Sequence, residues 1–150
     1  MKLEEEIKQT KPFKSETQKL ILNISFTHSW LNSILIERLK PFDLSPQQFN
    51  VLKILKGKHP DSYSNQEIAC RMIDKSSNVT RLVDKLLLKK LVKRVEHSSD
   101  RRAVSISITP KGAELLAEID QVNTEKGSSF LNIDEAKAKI INEWLDDMRT

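Results

Sequence analysis

Between residues 75 and 112, Lys75, Arg81, Lys85, Lys89, Lys90, Lys93, Arg94, Arg101, Arg102 and Lys111 stand against only Asp84, Glu96 and Asp100, a net of +7. The whole 150-residue chain carries +4, so the remainder is acidic by about −3. Ammonium and guanidinium groups concentrated in this way hold phosphate oxygens, and the asymmetry points to a dedicated polyanionic partner. The competing account is a solvated basic face with no partner. Interleaved with the cations are Ser76, Ser77, Asn78 and Thr80, short side chains that both donate and accept hydrogen bonds and so suit base edges as well as phosphates.

Covalent and metal chemistry finds no comparable support. His28, His59 and His97 are far apart in sequence, and none belongs to a ligand-spaced cluster, so no metal or cofactor is expected. Cys70 is the lone cysteine, which excludes an internal disulfide and any multi-cysteine metal site. Its position in a short helix beside Ala69 favours a buried, small apolar role, and Arg71 would lower its pKa only if the thiol were exposed. No nucleophile elbow or glycine-rich loop is present, so an enzyme is not expected.

The basic segment needs elements that turn it outward. Val79, Leu82, Val83 and Leu86 recur at offsets of three and four, forming the inner face of a helix from Ser76 to Lys89. Asn78, Arg81 and Lys85 then lie on its opposite face, and Ser76 and Ser77 are the expected N-cap residues. Leu91 to Glu96 and Ala103 to Thr109 have strand character, the second with Val104, Ile106 and Ile108 alternating on one face. His97 to Arg102 between them reads as a polar hairpin tip. Upstream, Ser64-Asn65-Gln66-Glu67 is a capping box that starts a short helix with Ile68, Ala69 and Met72 inward. That helix and the one from Ser76 are a few residues apart, which is helix-turn-helix spacing. Helix, turn, helix and a two-stranded wing make a winged helix.

The run SSNVTRLVDKLLLKKLVKR followed by SSDRRAVSISITPKG resembles the signature of the multiple antibiotic resistance regulator (MarR) family of winged helix-turn-helix regulators. The resemblance extends, with flanking helices of suitable length and order, over nearly the whole chain. It implies a homodimer on a pseudo-palindromic stretch of double-stranded DNA, acting as a repressor and released by a small aromatic effector. The effector would sit in a cleft between the dimer helices and the DNA-binding lobe. The outward face of the helix makes Ser76, Ser77, Asn78, Thr80, Arg81 and Lys85 the candidate DNA contacts, and for the wing the resemblance implies Arg102 in a minor groove, Asp100 as its buttress and Arg101 near the backbone. The chain departs from the family at Lys90, where glycine is usual between helix and wing. Lysine in a left-handed helix terminus costs about 1 kcal/mol relative to glycine, unless the helix ends differently.

Around this module the chain reads as one domain, 1–150, mainly α with a small β-wing. Its hydrophobic content of 38% and charged content of 31% are those of an ordinary helical protein. Ser15 to Lys40 is a long helix apolar on more than one face, which calls for a subunit partner. Residues 15–40 and 110–150 are the expected dimerisation helices, and 45–109 the DNA-binding lobe. Ser45-Pro46-Gln47-Gln48 opens a helix that Gly57 should close, and Asp61-Ser62-Tyr63 is a linker able to add a short strand to the wing. Thr109-Pro110 starts another helix, which Gly127-Ser128-Ser129 kinks or ends, and Asp134 caps a last one with Ile140, Ile141, Trp144, Leu145 and Met148 in a stripe. The charged N-terminus is not a signal peptide, and no run approaches the roughly 18 apolar residues of a membrane span, so a cytoplasmic location is expected. The rival function is a winged-helix module docking an acidic protein surface, or a DNA-binding protein without sequence preference.

Overall fold

Each of the longer helices begins where a side chain can satisfy its orphan N–H groups. In a computed structural model that describes residues 2–97, 100–125, 131 and 133–149, α1 (Leu3–Glu6) precedes α2 (Glu16–Leu39), which opens on Ser15. The side chains of residues 96, 97, 100–103 and 123–125 fall outside that description. A 3₁₀ turn (Lys40–Phe42) leads to α3 (Pro46–Lys58), where Ser45 Oγ accepts from Gln48 N at 3.2 Å and Gln48 Oε1 accepts from Ser45 N at 2.9 Å. The same reciprocal box, Ser64 with Glu67, opens α4 (Asn65–Arg71). Then follow α5 (Val79–Leu88), β1 (Val92–His97), β2 (Asp100–Ile108), α6 (Pro110–Glu125) and α7 (Glu135–Asp147), the last capped by Asp134 as expected.

The chain forms two compact units, Met1–Leu116 and Ala117–Thr150. In the first, Leu39, Val51, Leu52, Leu55, Ile68, Met72, Val83, Leu86 and Ile106 are fully or almost fully buried, so helices α3, α4 and α5 close over the inner face of the wing. Strands β1 and β2 are antiparallel, pairing Val92 with Ile108 and Arg94 with Ile106, and the register shifts between Glu96 and His97. Tyr63 and Ile106 exchange backbone hydrogen bonds of 2.9 and 2.8 Å, so the segment before α4 does add a one-bridge third strand.

Helix α2 buries little. Every residue from 21 to 30 is exposed, including Ile21 at 61%, Trp30 at 43% and Phe26 at 37%. In the second unit, Ile140, Ile141, Trp144 and Met148 of the α7 stripe are also exposed. Among the described residues no helix is long and apolar enough to cross a membrane.

Several local expectations are corrected. Gly57 lies inside α3, which ends instead at His59 (φ −52°, ψ 135°). The residue before a proline is pushed out of the helical region, and Pro60 follows. Ala69 is exposed because in so short a helix the inward stripe is Ile68 and Met72, four apart. Cys70 is exposed too, rotated away from that stripe, which overturns its reading as a buried residue. The Gly127 to Ser129 segment lies outside the described residues.

Candidate nucleic-acid interface

Helix α5 starts at Val79 and is capped by Asn78, whose Oδ1 accepts from Arg81 N at 3.1 Å, two residues later than Ser76 and one later than Ser77 would place it. Asp74 displaces the serines from capping: Ser76 donates to its Oδ1 through both Oγ (2.6 Å) and N (3.0 Å), and Ser77 N donates to its carbonyl at 3.2 Å. These bonds hold the Asp74 carboxyl below its ordinary pKa of 3.8, the Ser76 hydroxyl being the largest cause. An Asx turn thus presents the first residues of the helix in a fixed arrangement. Asp74-Lys75-Ser76, with its two-residue spacing, is the sequence signal for it.

The inner face of α5 is Val79, Val83 and Leu86, all buried. Asn78, Thr80, Arg81 and Lys85 are exposed, as is Ser76, so these five predicted residues share one accessible surface. Ser77 is half-buried, and its Oγ is screened from solvent without a partner. Thr80 Oγ1 accepts from Asn65 Nδ2 at 3.5 Å, tying α5 to α4. Gln47, which only the tertiary fold brings here, joins Asp74, Ser76, Asn78, Arg81 and Lys85 around a cleft of about 330 Å³.

The wing is longer than expected, because β2 begins at Asp100. Asp100, Arg101 and Arg102 therefore belong by backbone to a strand and not to the hairpin tip, Asp100 pairing with His97 beyond the register shift that follows the Glu96 to Val104 pair. Their side chains, like Ser98 and Ser99 entirely, lie outside the described residues. On the inner face of β1, Arg94 donates Nη2 to Asp84 Oδ1 of α5 at 2.7 Å, linking helix to wing. Neither residue stood out in the sequence beyond its charge.

The C-terminus of α5 is held from two sides. Lys90 adopts a left-handed conformation (φ 61°) despite its side chain. Leu91 N donates to Leu86 O at 3.0 Å and Lys90 N to Leu87 O at 2.9 Å, the paired bonds of a Schellman terminus. The helix exit is thus the one glycine would favour. Lys89 Nζ donates to Asp43 Oδ2 at 2.7 Å and to the Asp43 carbonyl, while Lys111 Nζ donates to Lys89 O at 3.1 Å and Thr109 Oγ1 to Lys90 O at 2.8 Å. Beside this junction a cavity of about 600 Å³ is lined by apolar Ile36, Leu44 and Leu88 and by Lys40, Lys85 and Lys89.

A helix-turn-helix with a basic outward face and an adjoining wing defines a winged-helix DNA-binding protein. The MarR family model matches residues 44–104, the segment from before α3 into β2. Over 103 residues the chain is 33% identical to the transcriptional regulator MhqR of Bacillus subtilis, covering 67% of this chain and 68% of that protein. A MarR transcription factor structure from Planctomyces limnophilus superposes with a TM-score of 0.69 at 29% identity, covering 92% of this chain and 98% of the other. A mutant of Escherichia coli MarR in complex with operator DNA shares the fold, with a TM-score of 0.77 at 21% identity over 92% of this chain and 99% of that one. The chain belongs to the MarR family of DNA-binding transcriptional regulators.

Proposed function

We propose that this regulator is a homodimeric repressor that occupies a pseudo-palindromic operator from the cytoplasm and is released by a small aromatic effector. The observation that carries the DNA-reading part is the outward face of α5, where Asn78, Thr80, Arg81 and Lys85 are accessible while Val79, Val83 and Leu86 fix the helix to the core. In this reading α5 lies in the major groove, with Asn78, Thr80 and Arg81 nearest base edges and Ser77 in the half-buried turn before them. Asn78 uses its carbonyl oxygen as the cap and so keeps its amide N–H groups for DNA. Ser76, Arg81 and Lys85 hold phosphates. Arg102 enters the adjacent minor groove with Asp100 as buttress, and Arg101 meets the backbone.

The exposed apolar faces of α2 and α7 support dimerisation through residues 15–40 and 110–150, since large uncovered aliphatic and aromatic surfaces cost free energy in water. Two-fold symmetry then sets half-sites about 10 bp apart. The 600 Å³ cleft supports the effector part: its size suits a small molecule, its lining combines apolar Ile36, Leu44 and Leu88 with polar groups, and Lys40 and Lys85 would hold a carboxylate or phenolate, Lys89 being paired with Asp43. Lys85 belongs to both cavity and DNA face, so an anion bound there competes with phosphate.

The test is a titration of the full chain against DNA upstream of its own gene and against random DNA at physiological salt. Clear preference for the upstream DNA is expected; equal affinity for both refutes the operator reading.

A further inference from the structure

An acid stands on the face of α5 that the proposed function turns toward a polyanion. Asp84 lies one turn beyond Thr80 and Arg81, outside the buried stripe, with its side chain 53% exposed. Its contact among the described residues is the ion pair that ties α5 to β1, and a bare carboxylate there would repel phosphate. Arg94, itself 29% exposed, cancels that charge through Nη2 at 2.7 Å from Oδ1. Only one carboxylate oxygen is used. Among the described residues Oδ2 has no partner, and Arg94 Nε is buried without one, so the pair is a single bond and not a two-pronged clamp.

We propose that Asp84 is a specificity-determining residue whose free Oδ2 accepts a hydrogen bond from the N4 amino group of a cytosine in each half-site, with Arg94 as its positioning residue. The inference rests on the DNA-reading role of α5 proposed above. In the major groove only cytosine N4 and adenine N6 offer donors. Adenine sets its N7 acceptor beside the amino group, which repels a carboxylate, whereas cytosine sets a C–H there. A charge-balanced acceptor that carries no donor of its own therefore selects cytosine. Its place one turn after Arg81 assigns it the base pair next to the one Arg81 approaches.

The experiment is selection from a random DNA pool with the full chain, the Asp84→Asn and Asp84→Ser variants, and Arg94→Met. The unaltered protein should enrich a symmetric site with cytosine at one position per half-site. Asp84→Asn should lower that cytosine preference about tenfold in favour of adenine, which an amide pairs at N6 and N7, and leave the other positions unchanged. Asp84→Ser gives a second reading of the same position should the asparagine variant not fold. Arg94→Met, which releases the Asp84 carboxylate and leaves its charge uncancelled, should lower the cytosine preference as well as the overall affinity, and an unchanged preference would remove Arg94 as the positioning residue. If both Asp84 variants enrich the site of the unaltered protein, the inference is wrong while the operator reading stands. If the unaltered protein enriches no sequence, both fall.

Discussion

Gly112 packs so closely beneath the turn after α5 that a Cβ there would stand 2.3 Å from Leu91 O and 2.9 Å from Ile108 Cγ1. The first of these neighbours is backbone and cannot rotate away. Gly112→Ala should therefore force the start of α6 off the helix-to-wing junction, costing roughly 1–3 kcal/mol. Thermal unfolding of the variant measures this, and an unchanged midpoint would show the junction to be loose.

Lys90 makes the opposite prediction one turn away. Its side chain is exposed and its backbone is left-handed, so Lys90→Gly removes a conformational penalty without removing a contact. A gain of about 1 kcal/mol is expected, which for a domain of this size raises the melting temperature by about 2–4 °C.

The wing is tested by Arg102→Ala, which should cost about 1–3 kcal/mol in specific DNA binding with the melting curve unchanged. If each subunit of the proposed dimer neutralises about four phosphates, log K should fall against log salt with a slope near −7. Equal affinity for variant and unaltered protein would remove the wing from the reading surface.

Glu67 predicts a pH dependence. Its carboxylate accepts from Ser64 N at 2.8 Å and from Ser64 Oγ at 2.9 Å, which holds its pKa below the ordinary 4.5. A depressed carboxyl pKa stabilises the fold above the unfolded value, and that contribution is lost as pH falls through the lowered folded value. The melting-temperature difference between the protein and Glu67→Gln should therefore be full at neutral pH and vanish in acid well below 4.5, and carbon NMR titration of Glu67 should give the lowered midpoint directly.

Assembly is tested at Ile21, exposed at 61% on α2. Ile21→Asp should leave the helical circular dichroism intact and shift the solution mass from twice to once that of the chain. A mass of twice the chain for the variant would show that the dimer forms through another face.

Much of this architecture was readable in the chain because its signals are local. Ser15, Ser45, Ser64 and Asp134 each cap the helix they precede, and Val79, Val83 and Leu86 are buried as their spacing requires. What escaped depends on competition or on distance. Ser76 and Ser77 are good caps by type, but Asp74 binds them first and Asn78 takes the position. Gly57 has no left-handed turn to make, because Pro60 ends the helix two residues further on. Cys70 turned outward because a seven-residue helix has only one inner stripe. The Arg94 to Asp84 bond and the placement of Gln47 beside Ser76 arise from packing between elements, which no spacing rule encodes.

Asp43 and the first turn of α6 both grip the final residues of α5, one through the Lys89 ammonium and the other through the Lys89 and Lys90 carbonyls. A helix pinned on either flank is tied to both neighbours, so tilting it alone would break these bonds. In the proposed dimer, loss of register with the double helix would then be set by the gap between the two halves, as with the jaws of a caliper.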